Sequence, residues 1–87
     1  MANIQSAIKR ARQSEKRRRR NRMVLSRTRT ATRKAVERIQ TGDKEHAIDA
    51  VRLAISEIDK AAQKGVMHKN AAARRKARLM ARFNSLA

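Results

Sequence analysis

Residues 47–62 read AIDAVRLAISEIDKAA. Apolar side chains recur at Ala47, Ile48, Val51, Ala54, Ile55, Ile58, Ala61 and Ala62, the three-four spacing that gathers them on one face of a helix. Such a face is stable only when neighbouring elements cover it. Working outward, the stretch is bracketed by Gly42 and Gly65, the only glycines in 87 residues, and each suits the left-handed conformation that closes a helix. Proline is absent, while Ala, Arg, Lys, Gln, Glu and Leu are abundant, all of them helix formers. The glycines therefore divide the chain into three helical segments. Asp43 is a good N-cap for the second, and Asn70 or His68 for the third.

The outer segments carry weaker stripes. In the third, Ala72, Ala73, Leu79, Met80, Phe83 and Leu86 form a loose face, interrupted by Lys76, whose aliphatic stem is able to lie along the seam. The first segment splits in two. Val24, Leu25, Thr28, Ala31, Thr32, Ala35, Val36 and Ile39 make a narrow apolar face, whereas no residue from Arg12 to Arg22 is apolar. Met23, Met67 and Met80 read as packing fillers.

Length leads to the same division. At ~1.5 Å per residue, a helix from Ile4 to Thr41 is roughly 55 Å long, against roughly 25 to 30 Å for each of the others. The expected fold is all-α: one domain over residues 1–87, an antiparallel three-helix bundle built from residues 23–41, 43–64 and 69–86. Residues 4–22 project beyond it as a basic helical extension.

Charge is divided in the same way. Residues 1–38 hold 14 basic and two acidic side chains, residues 39–63 three and five, and residues 64–87 seven and none, for a net charge of +17. An excess of that size is self-repelling in a compact fold and calls for a polyanionic partner. Nucleic acid is the strongest candidate at a sequence pI near 12.0. With Tyr and Trp absent and Phe83 the sole aromatic, single-strand binding through stacked bases is disfavoured, leaving folded RNA or a duplex read by backbone shape. A membrane-active helix needs bulky apolar residues opposite the charge, and residues 4–22 offer only Ile4 and Ile8. A basic zipper is disfavoured too, because the apolar face of the first segment ends near Gly42 after little more than two heptads.

The remaining features exclude chemistry. There is no cysteine, hence no thiolate nucleophile or Cys-based metal site, and a reducing, cytoplasmic setting fits. No apolar run reaches the length of a membrane span, and MANIQSAIKRAR lacks the apolar core of a secretory signal. His46 and His68 have no partners at metal-ligand spacing and read as solvated or capping residues. No catalytic constellation, cofactor site or metal site is expected, and the protein reads as a non-enzyme.

The candidate phosphate contacts follow from the basic runs. Lys16, Arg17, Arg18, Arg19 and Arg20 are consecutive, with Arg12 and Arg22 nearby. Lys9, Lys16, Arg20, Arg27, Lys34 and Arg38 follow spacings of 7, 4, 7, 7 and 4 along one flank of the first helix. Arg75, Arg78 and Arg82 form a second stripe, with Arg74 beside it. Most are Arg, whose planar fork grips phosphate with two bonds. Like charges repel at i,i+4 within the extension, so it is expected to fray when free and to order when phosphates neutralise it.

The opening MANIQSAIKRARQSEKRRRRN, the central GDK at Gly42–Lys44 and GVMHKNAAARRKARL at Gly65–Leu79 resemble the bacterial ribosomal protein S-twenty family of the small subunit. The resemblance implies a three-helix bundle whose long first helix is embedded in small-subunit (16S) ribosomal RNA. It implies direct, early binding to the 5′ domain and contact with the base of the decoding-site helix. It places contacts at Asn3, Ser6, Lys9, Arg10, Ser14, Lys16, Arg17 and Asn21, and in the loop at His68, Lys69 and Asn70, followed by Arg74 and Lys76. Gln5, Ile8 and Ala71 stand where the family usually has Lys. The partners implied are this RNA and other components of the small subunit in a cytoplasmic ribosome, with no membrane and no homo-oligomer. A DNA-packaging or other duplex-binding role is the alternative reading of the same charge.

Overall fold

The helical propensity is realised along almost the whole chain. The computed structural model describes residues 2–86, which form three helices and no strand: α1 (Ala2–Gln40), α2 (Lys44–Gln63) and α3 (Lys69–Asn84). The short links Thr41–Asp43 and Lys64–His68 turn each helix back against its predecessor, giving an antiparallel three-helix bundle. Helix α2 is the centre: α1 and α3 both pack mainly on it and touch each other least.

Each link is set by local chemistry. Gly42 and Gly65 have φ of 78° and 74°, a backbone region that side chains disfavour. After α2, the N–H of Gly65 donates to the Ala62 carbonyl at 3.1 Å and that of Val66 to Ala61 at 3.0 Å, the paired closure of a Schellman turn. After α1, the Gly42 N–H reaches Ile39 at 3.0 Å and the Thr41 hydroxyl donates to the Arg38 carbonyl at 2.7 Å. Asp43 caps α2, accepting the His46 N–H at 3.3 Å, while its second oxygen meets His46 Nδ1. Those two bonds from His46, the side-chain one foremost, hold the Asp43 carboxyl below the usual carboxylate range. Of the two candidates for the α3 cap, His68 fills the role, its Nδ1 accepting the Asn70 N–H at 3.1 Å.

The core is a thin seam. Val24, Thr28, Ala31, Ala35 and Ile39 of α1 are buried against Ala47, Val51, Ala54, Ile58 and Ala61 of α2, with Met67 and the α3 residues Ala72, Leu79 and Phe83 completing it. Alanine at Ala35, Ala47, Ala54 and Ala61, each fully buried, lets the helix axes approach closely, so dispersion contacts substitute for bulk. Thr28 is the one buried polar residue among those described, and its hydroxyl donates to the Val24 carbonyl one turn back at 3.0 Å.

Burial stops at the N-terminal end of that seam. Every residue from Asn3 to Arg20 is exposed and Asn21 is half-buried. The molecule measures 67 × 20 × 13 Å, and α1, ~58 Å long at ~1.5 Å per residue, outruns the ~30 Å of α2. Three details differ from the sequence reading. Met23 is 59% exposed rather than packed, because the seam runs through Val24 and Thr28 and the preceding residue points ~100° away. Ala73, next to the buried Ala72, is exposed for the same reason. Helix α3 ends at Asn84 rather than 86, and Ser85 turns its hydroxyl onto the Arg82 carbonyl at 2.6 Å.

Two expectations follow. Ile58, fully buried, sits at the centre of the seam, so urea denaturation followed by circular dichroism should show Ile58→Ala losing about 2–5 kcal/mol. Leu53→Ala, at a site 55% exposed, should stay within about 0.5 kcal/mol of the parent. Because the folded pKa of Asp43 is lowered, its contribution is complete above the ordinary carboxylate pKa of about 4 and is lost as pH falls through the lower folded value. Melting temperature measured against pH should therefore be lower for Asp43→Ala at neutral pH, and should fall less between about pH 4 and pH 2 than that of the parent.

Candidate nucleic-acid interface

Cationic side chains are placed by which helix carries them. Helix α1 has 14 basic and two acidic residues, α2 three and four, and α3 six and none. Within the projecting part of α1, Asn3, Ser6, Lys9, Arg10, Arg12, Ser14 and the run Lys16–Arg20 are all exposed, and the segment is helix throughout. One turn takes 3.6 residues, so five consecutive cations point in every direction around the axis. Among the described residues the only ion pair here is Arg19 to Glu15 at 3.1 Å, with both side chains well exposed, and such pairs stabilise little.

Where α1 joins the bundle, its two flanks differ. The stripe expected from the sequence lies on the flank facing α2: Arg27 and Lys34 share an open hollow with Leu53 and Glu57, and Arg27 lines another with Glu57, Lys60 and Lys64. Glu57 thus offsets part of the positive charge on that side. On the opposite flank Glu37 lies 3.9 Å from Arg33 but lines neither of the two hollows on that side. There Arg17, Arg18, Arg22 and Arg29 line an open hollow of about 520 Å³ with Ser14, Asn21 and Leu25, and no carboxylate takes part. One turn further on, Thr32 and Val36 of α1 face Leu79, Arg75, Arg78 and Arg82 of α3 across a valley of about 180 Å³, again without a carboxylate.

Arg29 and its neighbour Arg33 were not among the residues expected from the sequence. The signal was present, since Arg18, Arg22, Arg29 and Arg33 follow spacings of 4, 7 and 4, as regular as the stripe on the other flank. Only the position of α3 distinguishes the two. Arg33 also lies 3.9 Å from Glu37, both exposed.

Of the residues expected in the loop, only His68 lies there, as the cap of α3; Lys69 and Asn70 open the helix, Arg74 follows one turn on, and all four are exposed. His68 Nδ1 is committed to the Asn70 N–H, which requires that nitrogen unprotonated and leaves Nε2 as the outward atom. Lys76 is half-buried, and its Nζ donates to Asp59 of α2 at 2.7 Å. Its charge is matched inside the bundle, unlike those of Arg75, Arg78 and Arg82 beside it, while Arg38 stays exposed near the far turn. Among the described residues no cluster of ligating side chains is suited to a metal ion, and no helix is long and apolar enough to cross a membrane.

A family model described as Ribosomal protein S20 matches residues 2–84. The small ribosomal subunit protein bS20 of Thermomicrobium roseum is 52% identical over 86 residues, covering 99% of this chain and 87% of that protein. That of Streptomyces griseus is 52% identical over 86 residues, covering 99% and 98%, and that of Geobacillus kaustophilus 50% over 86 residues, covering 99% and 97%. The similarity therefore takes in the exposed cationic extension, which has no packing reason to match, together with the buried seam. By that full-length likeness the chain belongs to the ribosomal protein S20 family.

Proposed function

We propose that this chain is a structural, non-catalytic constituent of the small ribosomal subunit that binds 16S ribosomal RNA directly, bridging the 5′ domain and the base of the decoding-site helix during assembly. One observation carries the reading: an exposed helix with cations around its whole circumference and, among the described residues, no ion pair from them to the rest of the bundle. A single RNA backbone lies on one side of a rod. Neutralising Lys16–Arg20 therefore takes phosphates on at least two sides, and a helix neutralised from two sides holds RNA segments together that otherwise repel.

The remaining expected contacts fit this arrangement. Asn3, Ser6, Lys9, Arg10, Arg12 and Ser14 extend the rod, while Lys69, Asn70 and Arg74 meet RNA beside the bundle and His68 offers Nε2 there. Lys76 takes part only by exchanging Asp59 for phosphate. Phosphate neutralisation also relieves the i,i+4 repulsion of Lys16 with Arg20 and of Arg18 with Arg22, steadying the helix. The protein acts as one copy in a cytoplasmic ribosome, among other small-subunit components. Duplex DNA is the alternative ligand, and competition against structured RNA at fixed salt separates the two.

If ~8–12 phosphates are neutralised, log K against log salt should have a slope of roughly −6 to −11; a slope shallower than about −3 means that most of these cations stay in water. Arg17→Ala with Arg18→Ala should weaken binding to a 5′-domain RNA fragment about tenfold or more while leaving urea unfolding nearly unchanged, since both side chains lie outside the seam. Equal loss of binding and stability would place the extension inside the folded core instead.

A further inference from the structure

We infer that the valley between α1 and α3 is a distinct seat for one continuous phosphodiester strand of RNA, and that the flank of α1 beside α2 is not. The inference rests on the RNA-binding reading above and adds which face of the bundle is used. Three observations support it. First, α1 and α3 are the pair in least contact, which leaves an open groove between them. Second, its α3 rim is Arg75, Arg78 and Arg82, facing Thr32 and Val36 of α1, and the hollow on α1 that precedes it is lined by Arg17, Arg18, Arg22 and Arg29, with no carboxylate lining either. Third, both hollows that Arg27 shares with α2 include Glu57.

The floor strengthens the argument. Leu25, Thr32, Val36 and Leu79 are half-buried or buried, so an anion resting between the rims sits against low-dielectric protein, where a charge interaction is stronger than in open water. Arg18 to Arg29 spans ~16 Å along α1 at ~1.5 Å per residue. That is long enough to follow several phosphates of one strand. Guanidinium forks of α1 hold the strand along the extension and those of α3 hold it in the valley, each fork taking two oxygens. Arg29 links the parts, because it closes the hollow of the extension one turn before the valley begins.

The test compares two double variants with the same charge loss. Arg29→Gln with Arg78→Gln alters the valley, and Arg27→Gln with Lys34→Gln alters the α2 flank; all four side chains are exposed, and circular dichroism melts check that both variants fold. Binding to a 5′-domain fragment of small-subunit ribosomal RNA is measured by filter retention across a salt series. The valley variant should bind about tenfold more weakly, with a salt slope shallower by about 1 to 2, and the flank variant about two- to threefold more weakly. Equal weakening of the two would overturn the valley while leaving RNA binding intact. Absence of salt-dependent binding by the unsubstituted chain would overturn the RNA reading and the valley with it. If poly-glutamate displaces the RNA at equal charge concentration and does so less from the valley variant, the valley is a seat for acidic protein and the inference is wrong.

Discussion

Everything in this molecule depends on the close approach of α1 and α2. Four fully buried alanines, Ala35, Ala47, Ala54 and Ala61, bring two backbones together with few large side chains available. The seam is narrow, and it fixes only the part of α1 from Val24 onward. Because α2 spends its single apolar face on both neighbours, there is nothing left to cover the earlier turns of α1. Their exposure follows from the supply of apolar surface in the chain, and their arginines make that exposure stable in water.

Charge then does what packing does in larger domains: it decides which surface faces which environment. The acidic residues collect on α2, and the outer helices keep nearly all the excess positive charge. Burial of apolar residues has little to say about orientation in a bundle this thin. The carboxylates of α2, Glu57 above all, distinguish one flank of α1 from the other. Among the described residues the single cross-helix ion pair, Lys76 to Asp59, joins α3 to α2, and none crosses the α1–α3 groove.

The sequence is most informative where one physical cause dominates. The three helices, their two glycine breaks and the loss of burial near Val24 follow from periodicity and backbone chemistry, and these are local properties. The stripe on α2 is legible down to the residue. Ala73 was misread because the loose stripe of α3 leaves the helix phase uncertain by one residue, and one residue is ~100°; Met23 was assigned to packing by residue type, although the stripe of α1 begins at Val24. Lys76 was expected along the seam and among the RNA contacts, and its pairing with Asp59 escaped notice because that partner lies 17 residues away on another helix. Arg29 was missed for a related reason. Fourteen basic residues on one helix populate every flank, and choosing among flanks requires knowing where α3 lies, which no local pattern in α1 encodes.

The unsupported length of α1 has a mechanical consequence. A rod clamped at one end is a lever: over the ~30 Å between Val24 and the far turns, a tilt of about 10° at the clamp displaces the tip by about 5 Å. That is more than the reach of a hydrogen bond. Fit at the distal contacts is thus governed by the stiffness of a few alanines that never touch them, and a cavity-forming change in that seam degrades alignment at the tip before it unfolds anything.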